Sequence, residues 1–219
     1  MSCRWRLSVK RQHGQAVIET TIILPLVVLA SLLMVQLIWI AWWQHNLVLA
    51  SNYALRTGTI NSLHSGAMRT TLAAGMTAVQ PQLSATGDQQ EGNYRRLLSA
   101  LLRSQLWSQW GARIEVIQPS RKLLNVHDGA IVVDHNGLRY QTSNDQPAYV
   151  AARTVELEIW WCMPLHVPLA ADALAALRTP VGHAVQRFCQ QRQSLSEAPL
   201  WGLRYRLKGP LLSRYDGAD

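Results

Sequence analysis

The sequence lacks the short motifs that mark the common enzyme chemistries. It has no Gly-x-Ser-x-Gly elbow, no His-Glu-x-x-His zinc motif, no phosphate-binding glycine loop and no Cys-x-x-Cys pair. Two pairs, His127-Asp128 and Asp134-His135, stand near the ends of a possible hairpin, but turns attract Asp, Asn and His for backbone reasons alone. We therefore expect no enzyme activity, no metal site and no cofactor.

The sequence also lacks a concentrated basic patch, although its formal net charge is +8. Four of the cations, Arg4, Arg6, Lys10 and Arg11, lie in a stub before the first apolar segment. The remaining chain has 17 of the 21 Lys and Arg residues against 13 Asp and Glu. These cations are spread thinly and are not interleaved with aromatic residues, so we expect no nucleic-acid partner.

Charge is almost absent from one long apolar segment, Ala16–Trp43. Its one ionisable residue is Glu19, and its other long polar side chain is Gln36. The segment exceeds the roughly 20 residues that cross a bilayer as a helix, and it is longer than the apolar region of a cleaved secretory signal. We predict a transmembrane helix that stays in the lipid bilayer.

The flanks of this segment predict its orientation. Basic residues without acidic neighbours precede it, and Trp39, Trp42 and Trp43 lie at its far end, where indole rings favour the headgroup level. The N-terminus is therefore predicted to be cytoplasmic. The expected location is the inner (cytoplasmic) membrane, single-pass, with the C-terminal domain periplasmic or extracellular.

The stub and the start of the segment read KRQHG, QAVIE and TTIILPLVVLASLLMVQLIWIAWW in succession. This order resembles the class III signal of type IV prepilins, which a prepilin peptidase cuts after a glycine and which has glutamate at the fifth mature position. Cleavage after Gly14 would make Gln15 the N-terminus and put Glu19 at that position. With Leu24-Pro25 following, the segment resembles the TadE-like family of tight-adherence (Flp-type) pilus assembly proteins.

This resemblance implies a minor pseudopilin that acts in assembly of a type IVb/tight-adherence (Flp-type) pilus. Its implied partners are a prepilin peptidase, other pilin or pseudopilin subunits and an inner-membrane secretion platform. Glu19 would pair with the α-ammonium of Gln15, or the peptidase and assembly machinery would recognise it. Pro25 removes a backbone hydrogen bond and should bend the helix.

Two other hypotheses stay open. One is an uncleaved, signal-anchored envelope protein whose outer domain is a binding module. The other is a membrane-tethered hydrolase, which would need a catalytic cluster around His127 or His135 that the sequence does not show.

The chain divides into a basic cytoplasmic leader, 1–14, a transmembrane and pilin-like spine helix, 15–60, and an extracytoplasmic α+β domain, 61–219. The spine is predicted to bury Leu47, Ala50 and Ala54 on one face and to end at Gly58. A second helix should stop at Pro81. A third should carry its apolar residues on one side and end at Gly111; these residues are Tyr94, Leu98, Leu101, Leu102 and Leu106.

Alternating patterns predict a small antiparallel sheet after Gly111. The segments are RIEVIQPS, AIVVDHNGLRYQ with an Asn136-Gly137 hairpin turn, RTVELEIWWCMP and GLRYRLKG. The outward cations Arg204, Arg206 and Lys208 would blunt a sheet edge or meet an acidic partner. One or two short helices are predicted between the last two strands, with Pro180 at a helix start.

Cysteine is scarce, with three residues in the chain. Cys3 lies in the cytoplasmic stub, whereas Cys162 and Cys189 would lie outside, in an oxidising compartment. These two would form one disulfide or remain two buried thiols.

Overall fold

Helices and one antiparallel sheet make up the part of the chain that the computed structural model describes, residues 13–77, 90–119, 153–181 and 183–213. The α+β class, the long N-terminal helix and the small antiparallel sheet are as predicted. The elements are α1 His13–Ile60, α2 Ser65–Met76, α3 Gln90–Gly111, β1 Ala112–Gln118, β2 Thr154–Pro164, α4 Ala170–Val181, α5 Ala184–Gln191, a 3₁₀ turn Gln193–Leu195 and β3 Leu200–Pro210. The predicted Asn136-Gly137 hairpin and the stop at Pro81 lie outside the described residues.

Helix α1 is continuous over 48 residues, a length of about 72 Å. Leu47, Ala50 and Ala54 are buried on one face, as predicted. The helix does not end at Gly58 but continues to Ile60. Gly58 serves close packing instead, because a Cβ there would lie 2.5 Å from Met68 Sδ.

Helix α2 returns along α1 at short distance. A Cβ added at Gly75 would lie 2.7 Å from Ala50 Cβ and 3.0 Å from Ala50 Cα, so the two backbones are nearly in contact here. Leu72 and Met76, on the same helix, are at most 1% exposed. The small pair at the crossing lets the larger side chains around it pack fully.

The sheet has the order β1-β2-β3, with β2 central and antiparallel to both neighbours. Its inner face packs on α1 and α2, with Val155, Leu157 and Ile159 fully buried. Register pairs Leu157 with Val116 on one side and with Leu207 on the other. The alternation in β2 thus selects the core face, as its sequence predicts.

The leucines of α3 do share one side of the helix, but this side faces away from the domain. Leu98, Leu102 and Leu106 are exposed, the last two by 65% and 61%, and Leu101 is partly buried, whereas Ala100, Ser104 and Ser108 are buried. The side chain of Tyr94 lies outside the described residues. The hydroxyls of the two buried serines donate hydrogen bonds to backbone carbonyls three residues earlier in the helix, so they need no partner from another element. Small residues bring α3 close to its neighbours and leave the leucines outside.

The two short helices before β3 also differ from expectation at one point. Pro180 lies in the last turn of α4, not at a helix start, and α5 begins after His183. Helix α5 covers the outer face at one end of the sheet, where Phe188 contacts Trp160 edge-on with ring centroids 5.5 Å apart. The domain therefore has helices on both faces of its sheet.

The close approach of α1 and α2 predicts opposite effects for two glycines of one helix. Gly75→Ala should lower the free energy of unfolding by about 1–3 kcal/mol, because the added methyl meets Ala50. Gly66→Ala should be neutral or stabilising, because its methyl would meet only the exposed His64 ring at 3.2 Å and alanine favours helix. Denaturant titration of both detergent-purified variants checks this, and equal effects would contradict it.

Candidate functional site

The first half of α1 has the surface of a lipid-facing helix. Every side chain from Thr21 to Val35 is exposed or half-exposed, and almost none of the most apolar stretch is covered by the rest of the chain. The helix is long and apolar enough to cross a membrane. The domain begins to cover α1 only at Gln36.

The surroundings of Gln36 account for this polar residue within the apolar segment. Its side chain is fully buried, and its Oε1 accepts a hydrogen bond from the backbone N–H of Val167 at 3.0 Å. Trp43, two turns further on, is also buried, and Trp39 packs against the core. The end of the apolar segment is therefore joined to the outer domain.

A line of exposed apolar side chains runs along the other side of α1, far beyond Gln36. We name it the exposed stripe. It consists of Leu24, Val28, Val35, Ile38, Trp42, Leu49, Tyr53 and Ile60, each at least 47% exposed. The members recur at three-, four- and seven-residue intervals, the spacing of a helix–helix contact face. Two exposed polar residues, His45 and Arg56, stand in the same register between the outer members. From Leu24 to Ile60 the stripe measures about 54 Å.

The residues predicted for processing and assembly lie at the start of the same helix. Gly14 and Gln15 stand in the first turn of α1, and Gln15 and Glu19 are one helical turn apart. Glu19 is exposed. Pro25 lies inside α1, which continues past it.

The structure joins Cys162 of β2 to Cys189 of α5 in a disulfide, with Cα atoms 5.5 Å apart. Both cysteines are fully buried and pack with Phe188 and Leu200. This bond fastens α5 to the sheet face opposite α1.

Charged residues cover the outer face of the sheet in a regular layer. Glu156 and Glu158 of β2 have side chains only 8% exposed, and their register partners on β3 are Lys208 and Arg206. Arg206 Nη2 lies 2.6 Å from Glu158 Oε2, and Lys208 Nζ lies 3.1 Å from Glu156 Oε2. The outward cations thus already contact acidic groups of their own sheet.

Glu158 is the most strongly held carboxylate of this layer. Burial acts first and raises its pKa, but hydrogen bonds from Trp160, Arg206 and Arg204 outweigh burial, so the pKa lies below its usual 4.5. The bond to Glu158 in turn raises the pKa of Arg206. The carboxylate is therefore ionised throughout the neutral range.

A cleft of about 980 Å³ opens between the helices and β2. Three tryptophans line it, with a few polar groups at its edge. Its lining residues are Trp43, Met76, Arg103, Trp107, Trp161, Pro164, His166, Ser196, Glu197 and Ala198. Ser196 Oγ donates to the Ala198 carbonyl at 3.0 Å, whereas a serine nucleophile must give its proton to a base.

The described residues hold no group of three His, Cys, Asp or Glu side chains placed for a metal ion. The His127-Asp128 and Asp134-His135 pairs, whose histidines the hydrolase hypothesis invokes, lie outside the described residues. Sequence reasoning missed the outer half of the exposed stripe. The spacing of Trp42, Leu49, Tyr53 and Ile60 was the signal that would have indicated it.

Acid should weaken the domain through Glu158. Because its pKa is lower in the folded chain, the ionised carboxylate adds stability above the unfolded pKa, and this stability is lost as pH falls through the folded pKa. Glu158→Gln should therefore cost about 1–3 kcal/mol at pH 7 and progressively less below pH of about 4.5. Denaturant titrations across pH measure the difference.

The matched control is Glu115→Gln on β1. Glu115 is about half exposed, and its contact with Arg113 is 3.5 Å long. This change should alter stability by less than about 0.5 kcal/mol at any pH. Parallel pH profiles for the wild type and Glu158→Gln would show that the layer does not act as described.

Comparison with known proteins identifies no relative. No family model, no curated protein and no solved structure matches the chain.

Proposed function

We propose that the chain is a minor pseudopilin of a type IVb/tight-adherence (Flp-type) pilus. In this proposal a prepilin peptidase cuts after Gly14, and the processed protein assembles with other pilin-like subunits through α1. The basic leader, Gly14, Glu19 and Leu24-Pro25 support the proposal by their order.

The observation that carries the proposal is the length of the exposed stripe. A bilayer covers about 30 Å of apolar helix, whereas the stripe measures about 54 Å. Its outer part, from Trp42 to Ile60, extends about 27 Å beyond the predicted membrane end, and the described part of the domain leaves it exposed. A helix face whose exposed apolar side chains continue beyond the thickness of a bilayer, with His45 and Arg56 among them, suits a protein that packs against other helices both in lipid and in water.

The proposed mechanism is lateral packing of helices. In the membrane, the apolar side chains of α1 meet those of neighbouring subunits. Glu19 is costly there unless paired, and the α-ammonium of a processed Gln15, on the same helix or a neighbour, neutralises it. Such a pair sets the axial register between helices, while the outer domain primes, caps or adapts the filament.

A second candidate function rests on the tryptophan-lined cleft. An uncleaved signal-anchored envelope protein would use it as a binding site, since apolar clefts with a few polar groups commonly bind small ligands. This candidate requires an intact N-terminus, so one measurement separates the two.

Co-expression with a prepilin peptidase should yield a protein that begins at Gln15. Intact mass and an N-terminal peptide map of the membrane-extracted protein measure this, with a catalytically inactive peptidase as control. A chain that still begins at Met1 with the active peptidase would contradict the proposal.

Glu19→Gln separates the two roles proposed for the carboxylate. If the peptidase recognises Glu19, the variant stays uncleaved in the same peptide map. If Glu19 acts by pairing with Gln15, the variant is cleaved and inserted but does not assemble.

A charge in the outer stripe should block assembly without harming the domain. Leu49→Asp should reduce filament protein in the sheared surface fraction at least about tenfold, because a helix contact would bury an unpaired carboxylate. Leu212→Asp is the matched control, since Leu49 and Leu212 are 47% and 48% exposed. Equal loss in both variants would show that the stripe is not the assembly face.

A further inference from the structure

An apolar segment of the outer domain lies beside α1 where its membrane-length part ends. This segment, Val167–Leu177, includes the first two turns of α4. Between His166 and Arg178 its one ionisable residue is Asp172. Such a composition is unusual for a helix on a domain surface, because a surface helix normally has one apolar face and one charged or polar face.

Gln36 fixes the level of this segment along α1. The backbone N–H of Val167 donates to Gln36 Oε1, and Ala170 and Ala171 behind it are buried. About 20 helical residues span the roughly 30 Å hydrocarbon core. With the inner boundary between Gln15 and Glu19, the outer boundary falls between Val35 and Trp39. Val167 is therefore bonded to α1 at the boundary itself.

The side of the segment that does not face the domain is apolar and exposed. Leu169 is 63% exposed and Leu177 is 59% exposed. Ala173 and Leu177 stand four residues apart on one face of α4, and Leu169 directly precedes the first residue of that helix. Leu169 also has a φ of 62°, a left-handed conformation that side chains other than glycine seldom adopt. The fold thus holds a strained backbone and presents a leucine outward there.

We propose that Val167–Leu177 is an interfacial segment that inserts Leu169 and Leu177 into the outer surface of the lipid bilayer. The inference rests on two parts of the proposed function, the crossing of a bilayer by α1 and the placement of its inner boundary between Gln15 and Glu19. Leucine side chains at the boundary between acyl chains and headgroups leave water, which stabilises the contact. Asp172 lies at the flank of this face, in the first turn of α4, and remains among the headgroups.

The bilayer is the occupant that the geometry favours, because the segment adjoins the lipid-facing part of α1 through Gln36. A protein partner would need to reach the same boundary and displace lipid from it. The two occupants differ in what reaches Leu169 and Leu177. Lipid admits oxygen and excludes polar metal complexes, whereas a protein contact excludes both.

Nitroxide accessibility in lipid nanodiscs tests the inference on the full chain. A Cys3→Ser background leaves the Cys162–Cys189 disulfide intact, and single cysteines at positions 169 and 177 carry the label. Leu26→Cys, at a position 62% exposed in the apolar half of α1, is the membrane reference. Leu212→Cys is the aqueous reference, since the Leu212 N–H donates to the Thr59 carbonyl, about 35 Å further along α1 than Gln36.

Labels at 169 and 177 should be reached by molecular oxygen more than by a neutral nickel chelate, as at position 26 and opposite to position 212. High access of the nickel chelate at 169 and 177, with position 26 in lipid, would overturn the inference and leave α1 in the membrane. Low access of both reagents there would indicate a protein contact and would also overturn it. Nickel access at position 26 would overturn both the inference and the membrane part of the proposed function.

Discussion

Helix α1 is uncovered in its first half and packed into the domain core in its second half, and the rest of the structure depends on this change. Up to Val35, α1 shows exposed or partly exposed side chains on all sides, and the described residues of the domain cover almost none of it. From Gln36 onward the same helix is two-sided: one face forms the core of the domain, and the other is exposed and carries the outer part of the exposed stripe together with polar residues such as His45 and Arg56. The change happens within one turn, where the exposed side chain of Val35 is followed by the buried amide of Gln36, which accepts a hydrogen bond from the domain.

The outer domain is held together in layers from this helix outward. Apolar residues of α1, α2 and the inner sheet face form the first layer, and the glycine–alanine contact allows it to close. Beyond the sheet, glutamates of β2 lie beneath cations of β3, and the disulfide fastens α5 beside them. The ion pairs of the described sheet thereby lie on the face away from α1.

The sequence was sufficient where one pattern had one interpretation. An apolar run of this length indicates a membrane-length helix, and the alternation in β2 identified its core face. The sequence was insufficient where the burial of a side chain depends on which other element packs over it. The leucines of α3 share a side, but serines and an alanine pack inward; Glu156 occupies an outward position yet is buried by cations of another strand. The periodicity of a sequence identifies which residues share a face, but the element that packs against that face determines whether it is buried. The sequence alone does not show why a glutamine stands at position 36 of the apolar run, because its hydrogen-bond partner Val167 is distant in sequence.

In the proposed membrane-anchored arrangement, α1 would serve as both anchor and core, and no flexible linker would separate the membrane from the domain. Any tilt of the anchor is therefore transmitted to the domain as rotation of a rigid rod. From Gln36 to Ile60 the rod measures about 36 Å, so a tilt of about 10° displaces its outer end by roughly 6 Å. A change in bilayer thickness, or a neighbour that alters the packing angle, would in this way become a lateral displacement of the whole outer surface.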